Sequence, residues 1–327
     1  MSNVETANVN PPFFPEIKPS DTISERKAKV LKQFAPRIGE KTPYDSSEFE
    51  CTSPIGEDAR IALVKGMVSL PGTEGLELFR ASENLEYISD NEATHKALDR
   101  MYTGPVSEDP NSLIWSRLFI ENTHNSMAVR NRLRVVKEEF VNHMEKALAG
   151  RERSFHILSV AAGSSRAIME SLKSLNGAVS DRIDLQMVDS SNEALTDGQQ
   201  LAEKLGIKES VQFTKSNILH ITRYMKPDYH PEFVEAVGLF DYLPDHLIAY
   251  LLEKLRLQMA DGGAVLYSNI NPNDEQSFTH NVVGWRRMEY RTPADLARLA
   301  TNAGFEPSNI KVIQEPLGVY NLAVATK

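Results

Sequence analysis

An apolar run made of Phe155, Ile157, Leu158 and Val160 breaks at five small residues, Ala161, Ala162, Gly163, Ser164 and Ser165. Helical periodicity then resumes with Ile168, Met169 and Leu172. The pattern reads as strand, tight turn, helix. Small residues at such a turn let a ligand approach the backbone, and the free N–H groups of the helix's first turn favour a carboxylate. An ordinary strand-to-helix turn would read the same way, because one glycine-containing turn is a weak signal by itself.

The continuation adds to it. Residues 183–188, IDLQMV, form a second strand pattern ending at Asp189, followed by Ser190, Ser191 and Asn192. A carboxylate at a strand tip accepts in two directions and can take both hydroxyls of a ribose. Asp189, Ser190 or Ser191 could equally serve as a helix N-cap. A third run, residues 211–213, leads to Ser216 and Asn217, polar side chains suited to an adenine edge or to a turn. Near the end, residues 309–314 and 320–326 are two β-rich segments around Glu315-Pro316-Leu317-Gly318-Val319, which reads as a hairpin.

With Ala303-Gly304-Phe305 before that hairpin, residues 155–327 resemble the class I S-adenosylmethionine-dependent methyltransferases. The resemblance implies an α/β fold: a Rossmann-like doubly wound sheet with a C-terminal antiparallel hairpin. It implies S-adenosylmethionine as cofactor, held by Ser159, Ala161, Ala162, Gly163, Ser164, Asp189, Ser190, Ser216, Asn217 and Phe240. The chain departs from the class at one point. Where the class has an acid near the end of strand one and three loop glycines, this chain has Ser159 and only Gly163. The missing acid removes an expected partner for the methionine amino group. The missing glycines also speak against a nicotinamide oxidoreductase.

Size and composition set the outer limits. The chain has 327 residues, 41% hydrophobic and 25% charged, enough for a large core in one or two domains. A formal charge of −9 argues against general nucleic-acid binding, which needs surplus Lys and Arg. With Cys51 as the single cysteine there is neither an internal disulfide nor a cysteine zinc cluster, and no metal site is expected. No signal-peptide pattern or long apolar run is present, so the expectation is a cytoplasmic protein with no membrane span that acts on a small molecule.

Residues 1–57 hold seven of the 17 prolines and read as a flexible, Pro-rich arm. One helix interrupts it, capped within Ser20-Asp21-Thr22 and carrying Ile23, Val30, Leu31 and Phe34. Phe13 and Phe14 either dock on the body or cover a substrate entrance. Residues 58–150 read as a helical cap, and residues 151–327 as the methyltransferase domain. In the cap, Val129, Leu133, Val136, Phe140, Met144 and Leu148 mark one face of a long helix, and Arg130, Arg132, Arg134 and Lys137 read as its solvated flank. Acceptor choice would lie in the cap, where Trp115, Phe119, Asn122, His124 and Asn125 are candidates; core packing is the simpler role for Trp115 and Phe119.

A fourth strand spans residues 233–239, and the loop after it offers Asp241, Tyr242 and His246. A fifth follows Gly262-Gly263. Beyond it comes an aromatic and basic cluster containing His280, Trp285, Arg286, Arg287, Tyr290 and Arg291. Its segment WRRMEYRT is similar to bacterial methyltransferases associated with 3-hydroxy fatty acid methyl esters. The candidate catalytic set is Arg291, Tyr290, His280 and Tyr242. Arg291 would pair bidentately with a carboxylate acceptor, which needs no general base; a salt bridge to Asp295, four residues on, is its structural alternative. An amine or hydroxyl acceptor would instead need a base such as His280 or His246. A non-catalytic binder that keeps the fold is the reading from a different class.

Overall fold

The computed structural model describes residues 13–149, 154–174, 182–220 and 229–327. The first twelve residues of the arm and the expected 150/151 boundary lie outside them. The chain divides into two compact units. One comprises residues 1–92, 96–129 and 273–286; the other comprises residues 93–95, 130–272 and 287–327.

The second unit is built on a sheet that, among the described residues, has seven strands. They are β1 (Phe155–Val160), β2 (Ile183–Asp189), β3 (Val211–Lys215), β4 (Phe233–Ala236), β5 (Ala264–Ile270), β6 (Ile310–Gln314) and β7 (Tyr320–Thr326). Their order is β3-β2-β1-β4-β5-β7-β6. The first five run parallel, whereas β7 is antiparallel to both β5 and β6. β4 and β5 are buried at every position, as strands covered on both faces are. One face carries Leu158, Val188, Val234, Val265 and Tyr267 and packs on Ile248, Leu251, Leu252, Leu296 and Leu299. Those side chains belong to α10 (Asp245–Gln258) and α11 (Pro293–Asn302). On the other face Phe140 meets Phe233 edge-on, with ring centroids 5.2 Å apart. Phe140 lies on α7 (His124–Leu148), which begins in the first unit; α8 (Arg166–Ser174) and α9 (Asn192–Leu205) follow β1 and β2.

The flank of α7 differs from expectation. Arg130, Arg132 and Arg134 are buried rather than solvated. Helical periodicity identifies the most apolar face, but α7 is enclosed more widely than that one stripe.

The first unit is helical. α1 (Ile23–Phe34) starts at Thr22, whose side chain and Glu25 form a capping box. α2 (Glu57–Ser69) follows. The next stretch is divided into α3 (Glu74–Phe79) and α4 (Glu83–Asp90), and Ser82 accepts the Leu85 N–H as the N-cap of the second. After α5 (His95–Thr103), whose first residue belongs to the second unit, Trp115 and Phe119 occupy a helix of their own, α6 (Pro110–Ile120). Asp109 caps it by accepting the Asn111 and Ser112 N–H groups. Phe119 stacks on Phe278 at 5.9 Å, and Trp115 is fully buried. Phe278 ends a short helical turn, and a π-helical turn, Thr279–Val283, follows it and carries His280, the first residue of the aromatic and basic cluster. No described helix is long and apolar enough to cross a membrane.

Phe14 is buried and packs near Phe34, so this part of the arm docks within the first unit. It also covers Gly66 of α2, where an added Cβ would lie 2.1 Å from the Phe14 ring. Gly66→Ala should therefore lower stability by about 1–3 kcal/mol, the usual cost of overpacking. An unchanged melting temperature would show that Phe14 is not held there.

Candidate functional site

The turn after β1 has left-handed backbone at three positions: Ala161 (φ 47°), Gly163 (φ 52°) and Ser165 (φ 44°). A non-glycine residue costs about 1–2 kcal/mol in that conformation, so the surroundings must hold it. The Ala162 N–H donates to the Val188 carbonyl at 3.3 Å, and the Gly163 N–H donates to Asp189 Oδ2 at 3.0 Å. Asp189 Oδ1 accepts the Ser191 N–H at 2.8 Å, and Ser191 caps α9. One carboxylate thus ties the loop, the tip of β2 and the start of α9 together. Each of its oxygens keeps acceptor capacity for a ligand. Gly163 has no room for a side chain, since a Cβ would lie 2.7 Å from that of His95. His95 is in turn held by Asp197, Nε2 to Oδ2 at 2.7 Å.

The expected cofactor residues gather at the carboxyl ends of the parallel strands. Ser159, Ala161, Ala162, Gly163 and Ser164 follow or end β1, Asp189 and Ser190 end β2, and Ser216 and Asn217 follow β3. The Ser216 N–H donates to the Asp189 carbonyl at 2.9 Å. Asn217 is exposed and uses its side-chain oxygen to accept the Leu219 N–H at 2.9 Å, a turn-forming bond. Phe240 is buried after β4 and packs on Tyr267.

Sequence reasoning passed over Glu235. It pairs in register with Ser159 across β1 and β4 and is almost fully buried. The Ser159 hydroxyl donates to its carboxylate, and the Ser165 hydroxyl donates to Ser159 at 3.1 Å. Burial pushes the Glu235 carboxyl up to about 7, against the pull of the Ser159 hydroxyl and the Arg132 charge. The available signal was an acid inside the apolar strand sequence FVEAV.

The acceptor-side candidates separate. His280 is exposed in the π-helical turn of the first unit and contacts Asn281. Tyr242, Tyr290 and Arg291 belong to the second unit. Tyr242 is half-buried in a 3-10 turn, Phe240–Tyr242, and His246 is exposed on α10. The side chain of Asp241 is buried; it accepts the Ile270 N–H at 2.7 Å and lies 3.6 Å from Arg132. Burial raises its pKa despite the Arg132 charge.

Arg291 is buried, and its guanidinium is bonded internally. It donates to Asp245 at 2.8 Å, to the carbonyls of Phe240 and Leu243 at 2.9 and 2.6 Å, and to Asn269 at 2.8 Å. The expected partner Asp295 instead forms a capping box with Thr292. Beside Arg291, Tyr290 Oη is buried with no hydrogen-bond partner among the described residues. Burial first, then the Asp241 charge, push its phenol up to about 12.

Residues 84–327 match the model of a family described as "Putative methyltransferase". The chain belongs to this methyltransferase family. No curated protein matches it in sequence. Among solved structures it is similar to a possible exported protein from Bordetella parapertussis, with 17% identity over 95% of this chain and 99% of the other and a TM-score of 0.58. It is also similar to the DszA carbon methyltransferase, with 11% identity, 77% and 68% coverage and a TM-score of 0.53. Magnesium protoporphyrin IX methyltransferase from Synechocystis PCC 6803, solved with bound S-adenosylmethionine, gives 10% identity, 76% and 98% coverage and a TM-score of 0.49.

The methyltransferase has the α/β fold that the sequence suggested, with an antiparallel seventh strand. The donor set fits S-adenosylmethionine chemically: small residues leave the loop backbone open, and Asp189 retains acceptor capacity for a diol. Asp189→Ala should weaken S-adenosylmethionine binding ten- to hundredfold in calorimetric titration. Unchanged affinity would remove Asp189 from cofactor binding.

Glu235 predicts a pH effect. Its folded pKa lies above the unfolded value of 4.5, so its favourable contribution is complete below pH 4.5 and is lost as pH rises through 7. The loss amounts to about 3 kcal/mol. Glu235→Gln should therefore gain stability relative to the parent between pH 4.5 and 8; parallel melting profiles would contradict this.

Proposed function

We propose that the chain methylates a small-molecule carboxylate, such as that of a hydroxy fatty acid. The observation that carries this reading is the buried, partnerless Tyr290 hydroxyl. Its raised pKa keeps it protonated across the neutral range, so Tyr290 serves as a hydrogen-bond donor and not as a base. An ionised carboxylate accepts such a bond strongly and needs no proton removed before methyl transfer. A hydroxyl or protonated amine does need a base, and His246 and His280 are exposed to solvent.

Bound S-adenosylmethionine would supply an electrophilic methyl group on a sulfonium. The protein's part is alignment and exclusion of water. Asp189 and the residue 161–165 turn hold the donor's end of the site. Tyr290 orients one acceptor oxygen. Arg291, with its internal bonds, is better suited to positioning: it joins the loop after β4 to Asn269 of β5, between which residues 289–291 are fixed. Tyr242 lies on that same loop.

The test is S-adenosylhomocysteine release with a panel of 3-hydroxy fatty acids, simple carboxylic acids, phenols and amines. Turnover should be confined to the acids, with an ester as product. Tyr290→Phe should reduce kcat/KM for the acid about five- to hundredfold and leave S-adenosylmethionine affinity unchanged. Turnover of phenols or amines but no acid would overturn the carboxylate reading in favour of a base-dependent acceptor.

A further inference from the structure

A buried carboxylate is costly unless something offsets its charge. Glu235 is such a group, lying one strand away from the ligand-approach loop and linked to it by two hydroxyls, Ser165 to Ser159 to Glu235. The register explains the link. Ser159 and Glu235 are paired on parallel neighbours, so both side chains leave the same face of the sheet at the same level. Ser165, the last residue of the loop, is held in left-handed backbone where its hydroxyl reaches Ser159.

The charges around Glu235 are few. Arg132 from α7 acts on it electrostatically, and the nearer contacts are the Ser159 and Ser165 hydroxyls. Arg132 also faces Asp241 at 3.6 Å and lies 4.3 Å from the Tyr320 ring centroid, so its charge is divided between two buried acids. Free of ligand, the site therefore favours a neutral Glu235. A cation arriving at the loop would reverse that preference.

We propose that Glu235 is a positioning acid for the methyl donor, acting with Ser159 and Ser165, and that it gives up its proton when the donor's ammonium group occupies the loop. The proposal rests on S-adenosylmethionine as donor and adds a residue and a proton to its binding step. The balance is simple: neutral Glu235 and the cationic ligand become an ion pair, and one proton passes to solvent. It also gives Ser159 a specific task, since its hydroxyl can donate to the carboxylate while accepting from Ser165.

The experiment is calorimetric titration of the full chain at pH 6.5 in buffers of different ionisation enthalpy. The ligands are S-adenosylhomocysteine and its deamino analogue, in which hydrogen replaces the amino group. The parent should release a sizeable fraction of a proton on binding S-adenosylhomocysteine, and its affinity should rise with pH up to about 7. Glu235→Gln should abolish the release and weaken S-adenosylhomocysteine at least tenfold, with the analogue changed less than about twofold. Ser159→Ala, which keeps the acid but removes its hydroxyl partner, should also narrow the preference for the amino-bearing ligand, and it serves if Glu235→Gln does not fold. Equal weakening of both ligands would make Glu235 merely structural. Unchanged proton release and affinity in Glu235→Gln would overturn the proposal outright. Failure of the parent to bind S-adenosylmethionine or S-adenosylhomocysteine at all would instead reject the donor assignment.

Discussion

The hydrogen bond from the Gly163 N–H to Asp189 is the contact on which the arrangement of the site depends. Parallel strands end in loops that have no reason to face one another, and the turn after β1 adopts a backbone that Ala161 and Ser165 disfavour. By accepting from Gly163 with one oxygen and from Ser191 with the other, Asp189 fixes the ends of two strands and the start of α9 together. The carbonyl of the same residue takes the Ser216 N–H and adds the third strand. A single residue thereby sets the spacing of the site at three strand ends.

A second organising element lies after β4 and β5. Here Arg291 gathers two loop carbonyls, Asn269 and Asp245, while Asn269 and the Asp241 carbonyl hold Glu289 on either side of its peptide. Tyr290 sits between two residues whose backbone is fixed in this way.

Much of this was legible in the sequence because it is local. The strand, small-residue turn and helix at residues 155–174 carry their own periodicity, Asp189 stands at the tip of an apolar run, and the hairpin is marked by its turn. What escaped were pairings set by the sheet. Glu235 is one position in a strand pattern until β4 is laid beside β1 and Ser159 becomes its neighbour. Arg132 falls off the main apolar stripe of α7 and looks solvated, although burial reaches around the helix. Arg291 has Asp295 four residues away, but Thr292 captures that acid for a helix cap, and the arginine turns to Asp245, 46 residues distant in the chain. Local spacing cannot rank such competing partners.

The position of β7 bears on how the chain folds. It lies between β5 and β6 in the sheet yet follows both in the sequence. Until residues 320–326 have been made, β5, a strand buried at every position in the finished fold, presents an open edge, and β6 has no neighbour to join among the described strands. Unpaired edges of that kind invite association with other chains. The nascent protein must therefore carry that open edge from the completion of β5 until residues 320–326 emerge, and β7 acts as the keystone that removes it.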